Sequence, residues 1–205
     1  MAFPAFFDKA PRIKVRDPLS EFLGASDDGI IEYSYADAVR LAGHSCPTVA
    51  GSYLMARAAL KELYGDAIPE RGGIEVIMSE GESEGTTGVI AQVFTLITGA
   101  AARNGFHGIA GNFTRSGLLE YNGKDPQAIA ALRRSDTGQT VRVALDVSQV
   151  PGSPEMRPLM SRALATNADK ATIQAFGKLW QERVERVFEH ADDENVILVE
   201  KVLRV

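Results

Sequence analysis

The spacing of apolar residues predicts helices in the first third of the chain. Tyr35, Ala38, Val39 and Ala42 fall on one helical face, opened by Ser34 as cap, with Asp37 three residues on completing a capping-box-like pair. Val49, Tyr53, Ala56, Leu60 and Leu63 repeat at the same period and mark a longer helix over 47–64. Ala50, Gly51, Ala56, Ala58 and Ala59 keep one of its sides small enough for another backbone to approach. An earlier short helix begins at Asp17-Pro18, with Asp17 as cap and proline in the first turn. Ile30-Ile31 marks a short strand.

Beyond residue 65 the pattern changes. Residues 74–78 (Ile-Glu-Val-Ile-Met) read as a strand, followed by an acidic, glycine-rich loop over 79–88 and an apolar helix over 89–102. Residues 112–121 read as a strand closed by an Asn122-Gly123 hairpin turn, and 125–134 as a short helix capped by Asp125. Val141, Val143, Leu145 and Val147 alternate as in a half-buried strand. Helices follow over 155–164 and 168–190, the second with Ile173, Phe176, Leu179, Trp180, Val184 and Val187 on its inner stripe. The chain ends in a strand over 196–205. There is no regular βαβ repeat, so the expected class is α+β, a mixed or antiparallel sheet packed with helices. The expected layout is a single domain over 1–205: an N-terminal arm (1–29), a core (30–123), and C-terminal strands and helices (124–205). Phe3, Phe6 and Phe7 should pack the arm on the body or on a second copy of the chain.

At 205 residues, 45% apolar and 24% charged, the chain can bury a core without staples. A net charge of −5 and the lack of a basic block argue against nucleic acid as a partner. No apolar run reaches the roughly 18 residues of a membrane span, and the N-terminus lacks the basic start and apolar core of a signal peptide. Cys46 is the sole cysteine, which excludes an intrachain disulfide framework and fits a cytoplasmic location.

The chemistry gathers at Gly43-His44-Ser45-Cys46-Pro47. Gly43 suits a left-handed helix end, and Pro47 suits the first position of the next helix. Cys46 therefore stands at a helix N-terminus, where free N–H groups and the helix dipole favour thiolate over thiol. A histidine two residues away can share a metal ion with that sulfur or take its proton. Both readings stay open beside a plain buried cysteine next to a satisfied histidine. His107, in a glycine-flanked turn, and Glu80 or Glu82, after the strand, are candidates for a third metal ligand. Tyr53, Glu80, Glu82, Glu84, Thr86 and Thr87 are candidates for holding a substrate. The 79–88 loop is not a phosphate loop, since it lacks Gly-Lys-Thr and carries three glutamates. His190 reads as a favourable charge at a helix C-terminus.

The motif, with Val49-Ala50, Tyr53 and the preceding Tyr35-Ala36-Asp37 helix, resembles the Gly-His-x-Cys-Pro block of the FmdE-like family, whose namesake accompanies formylmethanofuran dehydrogenase. Gly88-Val89 to Gln92 and Thr98-Gly99 loosely resemble a second block, so the likeness covers about residues 30–123. It implies an α+β domain, usually a homodimer, that binds a divalent metal ion, most often zinc, through His44 and Cys46. The chain departs from that pattern. Ala42 stands where a second histidine is frequent, Thr48 and Ser52 replace small glycines, and later cysteines become Thr86 or Thr87 and Ala100. The cysteine-rich zinc-ribbon tail of some members is absent. The resemblance thus implies the first metal site at most, and not a true component of the dehydrogenase. Three functions remain open: a metal-binding protein with a His44/Cys46 site, with or without metal-dependent catalysis; a metal-free thiol enzyme using Cys46 with His44 as base; and a non-catalytic module for a small ligand or partner protein.

Overall fold

The computed structural model describes residues 3–202. The arm is not extended throughout. A 3-10 turn at Ala5–Asp8 drops Phe6 and Phe7 into the core, and strand β1 (Ile13–Arg16) follows. Phe7 meets the Tyr35 ring edge-on at 4.7 Å and stacks on Phe3 at 4.9 Å, so the arm packs on the body of its own chain. β1 pairs antiparallel with β2 (Ile30–Tyr33). Between them, α1 (Pro18–Phe22) starts at Asp17, whose Oδ1 accepts the N–H of Leu19 at 2.9 Å.

Helix α2 (Tyr35–Ala42) opens on the expected box: Asp37 Oδ2 accepts the Ser34 N–H at 2.8 Å. It ends at Gly43, whose φ of 75° is the left-handed conformation that glycine takes without strain. Helix α3 (Pro47–Tyr64) is the centre of the molecule. Its small side does admit a close neighbour: a Cβ on Gly51 would stand 2.2 Å from Leu145 Cδ2. The Tyr53 hydroxyl donates to the carbonyls of Pro11 (2.7 Å) and Tyr33 (3.0 Å), tying α3 to the arm and to β2. Tyr53→Phe should cost about 1–2 kcal/mol in chemical unfolding, because two carbonyls lose their donor. It should also speed proteolytic clipping before residue 15; an unchanged midpoint and clipping rate would mean the tie contributes nothing.

Strands β3 (Ile74–Met78), β4 (Leu119–Glu120), β5 (Ala130–Arg134), β6 (Thr140–Leu145) and β7 (Ile197–Val202) form one sheet in the order β4-β3-β5-β6-β7. Only β3–β4 is parallel, so the sheet is mixed and the class is α+β. Ile74, Val76, Met78, Ala130, Leu132, Val141 and Val143 form its buried face. Helices α3 and α4 (Thr87–Thr98) pack together, α4 against β3 and α3 against β6 and β7. Helices α5 (Met156–Ala163) and α6 (Lys170–Glu189) form a hairpin, and α6 returns to α3.

Four expectations are corrected. Residues 130–134 are a central strand, not part of a helix. Ala, Leu and Arg are good helix formers, but pairing with β3 on one side and β6 on the other outweighs that preference. Residues 112–118 are irregular, and Asn122-Gly123 makes no hairpin. β4 is short and runs parallel to β3, and the Gly123 N–H instead bonds the Met78 carbonyl at 2.9 Å. The apolar helix starts at Thr87 and stops at Gly99 (φ 77°), not at 102. The stripe of α6 divides, with Val184 and Val187 buried but Ile173 50% exposed, because the first half of the helix leans only on α5. The final strand is present through Val202; its last expected residues, 203–205, and Met1 and Ala2 of the arm lie outside the described residues.

Candidate metal site and adjoining cleft

The turn between α2 and α3 presents His44 to solvent and keeps Cys46 buried. His44 Nδ1 lies 3.0 Å from the Ala42 carbonyl oxygen. A carbonyl only accepts, so that contact places the ring proton on Nδ1 and leaves the Nε2 lone pair facing outward. Cys46 is the N-cap of α3, and its Sγ accepts the Val49 N–H at 3.4 Å. Both side chains are thus oriented by backbone groups of the same turn.

Ser45, between them, is the most heavily tied residue of the motif. Its Oγ lies 2.8 Å from the Tyr35 hydroxyl and donates to Gln181 Oε1 at 2.8 Å. With the serine proton given to Gln181, the tyrosine must be the donor of the first bond. Burial pushes the Tyr35 phenol well above its usual range, which keeps that proton in place. The Ser45 carbonyl accepts from Trp180 Nε1 (3.0 Å) and from Gln181 Nε2 (3.2 Å). The middle of α6 therefore clamps the turn from the far end of the sequence. Nothing in local sequence signals this, since the partners are 135 and 136 residues away.

The remaining candidates are spread along one edge of the molecule. Among the described residues, no three of His, Cys, Asp and Glu converge to hold an ion. His107 is exposed in the 99–118 loop, and its carbonyl accepts the Thr114 hydroxyl at 3.3 Å. Tyr53 is fully enclosed, with its hydroxyl given to the two carbonyls described above. Glu84 folds back on its own loop, accepting the Gly81 N–H at 3.0 Å. Glu80 accepts the Thr87 hydroxyl at 3.4 Å, while Thr86 caps α4 without a side-chain bond. His190 ends α6 and pairs with Asp193 at 3.1 Å.

Glu82 lines a cleft of about 410 Å³ together with Leu41, Arg71, Gln92, Thr95 and Tyr121. Leu41 belongs to the last turn of α2, so the cleft begins one turn before the motif. Burial first, then the Glu82 charge, holds the Tyr121 phenol above its usual range. Arg71 enters the cleft from below α4, its Nε donating to the Leu96 carbonyl at 3.2 Å. No local motif marks Arg71. Its position follows from the ion pair with Asp17 at 2.7 Å.

A family model described as FmdE, molybdenum formylmethanofuran dehydrogenase operon, matches residues 41–197. Among solved structures, the chain is similar to an FmdE-like protein of tungsten formylmethanofuran dehydrogenase from Syntrophus aciditrophicus. The identity is 21%, over 84% of this chain and 74% of that one, at a TM-score of 0.45. No curated protein matches the chain. No helix among the described residues is long and apolar enough to cross a membrane. The matched stretch runs well past residue 123 and takes in the motif turn, all five strands of the main sheet and the clamp on α6. By that match the chain belongs to the FmdE family.

Proposed function

We infer that the chain binds one divalent metal ion, zinc by the character of the donors, on His44 and Cys46, and offers it to a small molecule in the Leu41–Glu82 cleft. The observation that carries this is the outward Nε2 of His44, left free by the bond from Nδ1 to Ala42, two residues from a sulfur at a helix start. A nitrogen and a sulfur are the pair that zinc favours, and they fill two of about four positions. The others fall to water, to substrate, or to a second copy of the chain in a homodimer. His107, Glu80 and Glu82 are the residues such a copy would bring, and His107 stands exposed on its loop. When bound, the ion supplies Lewis-acid polarisation or an acidic water. Glu82, Tyr121 and Arg71 would then orient a polar substrate beside it.

A thiol enzyme needs His44 against the sulfur. Among the described residues no hydrogen bond joins the two, and Nδ1 is already turned to Ala42. That favours the metal reading. The test is elemental analysis of the native protein beside His44→Ala and Cys46→Ser. About one ion per chain is expected in the native protein and little in either variant. A native protein that stays metal-free after incubation with zinc would overturn the proposal, and alkylation of Cys46 would then be the next experiment.

A further inference from the structure

A second cavity, of about 350 Å³, opens where β3 ends and α4 begins. Ser79 lines it and is only 8% exposed. Its backbone is fixed on both sides, by the N–H to the Ile129 carbonyl (3.0 Å) and by the carbonyl to the Lys124 N–H (2.9 Å). Its hydroxyl has no hydrogen-bond partner among the described residues. A buried hydroxyl left unpaired costs free energy, and a polar ligand removes that cost.

The charges around this hydroxyl are divided. Thr86 gives α4 no side-chain cap, and the helical ladder begins only with the Ile90 N–H on the Thr86 carbonyl at 3.1 Å. The Gly88 and Val89 amides before it carry the positive end of a 12-residue helix. Lys124 stands on the same wall with no ion pair among the described residues. Asp125 is neutralised by Arg142 at 2.6 Å. Glu80 is not neutralised, and its carboxylate lies 3.4 Å from the Thr87 hydroxyl in the first turn of α4. An anion subsite and an acidic group are thus about one hydrogen-bond length apart. Ile90, Ala128 and Ile129 complete an apolar wall.

We propose that this cavity binds a free α-amino acid with an apolar side chain. The carboxylate lies at the start of α4 beside Ser79 and Lys124, the ammonium at Glu80, and the side chain against Ile90 and Ile129. A ligand whose two charges share one carbon matches groups placed so close together. The site is independent of metal at His44 and Cys46, so loss of metal leaves it intact.

The test is calorimetric titration of the full chain with L-leucine, with 4-methylpentanoate, which lacks the ammonium, and with 3-methylbutylamine, which lacks the carboxylate. L-leucine should saturate one site per chain, and each partial ligand should bind at least roughly tenfold more weakly. Ser79→Ala should keep the native melting temperature, since the hydroxyl bonds nothing, yet weaken L-leucine about fivefold or more. Lys124→Asn, which suits the left-handed backbone there (φ 56°), should weaken L-leucine and 4-methylpentanoate alike. Glu80→Gln should weaken L-leucine alone. No saturation by L-leucine up to about 20 mM, equal binding of 4-methylpentanoate, or unchanged affinity in Ser79→Ala and Lys124→Asn would each overturn the proposal.

Discussion

Replacing Asp17 by asparagine should remove about 3–5 kcal/mol of stability, a large part of the 5–15 kcal/mol that holds a typical domain together. The carboxylate is 3% exposed and holds two guanidiniums, Arg71 Nη1 and Arg115 Nη2, each at 2.7 Å. Asparagine has nearly the same shape and can still cap α1, so the change removes the charge and little else. Arg115 is itself buried, with its Nε unpartnered, so it has no substitute for Asp17. Gly72 keeps the site tight, because a Cβ there would fall 0.8 Å from Arg115 Nη1 at a φ of 88°. Urea unfolding of the native and Asp17→Asn proteins checks the figure. A loss below about 1 kcal/mol would place this triad with ordinary surface pairs.

The same triad predicts the direction of acid sensitivity. Burial pushes the Asp17 carboxyl up, but the bond from Arg71 and the charges of Arg115 and Arg71 outweigh it and hold it below its ordinary value of 3.8. The folded state therefore releases this proton more readily than the unfolded chain does. Its contribution is complete above the unfolded value and is lost as pH falls through the folded one. The gap between the native protein and Asp17→Asn should be widest near neutrality and should close below about pH 4. A gap that widens in acid would contradict the assignment.

How much of this is legible in the sequence depends on how local each cause is. The caps at Asp17 and Ser34, the Gly43 turn, and α3 from Pro47 to Tyr64 rest on neighbours within a few residues, and they stand where the sequence puts them. β5 is hidden because its residues favour a helix until β3 and β6 flank them, although Ala130 and Leu132 inward against Ala131 and Arg133 outward do alternate. β4 escapes detection because a parallel neighbour leaves no hairpin signal. At the site, the motif marks His44 and Cys46, and the acidic loop marks Glu82. Arg71, Trp180 and Gln181 carry no local signature, since each acts on a residue at least 54 positions away.

The clamp on Ser45 leads to the other large effect. If His44 and Cys46 hold zinc, the residue between them sets the separation of the two donors, and α6 sets that residue. Groups that orient metal ligands without touching the metal typically govern affinity by about 10–100-fold. Gln181→Ala removes both the acceptor for the Ser45 hydroxyl and one donor to its carbonyl. Trp180→Phe keeps an aromatic ring but removes the other donor. The double variant should bind zinc about 10–100-fold more weakly in competition with a chromophoric chelator, while each single variant loses less, because the remaining donor still holds the carbonyl. Its fold should survive, since the two lost interactions are worth about 1 kcal/mol each and Val184 and Val187 still anchor α6. A double variant with native zinc affinity would show that the turn holds its shape unaided. One that loses zinc while keeping its unfolding midpoint and the Tyr35 environment would tie the C-terminal helix to the motif as its positioning element.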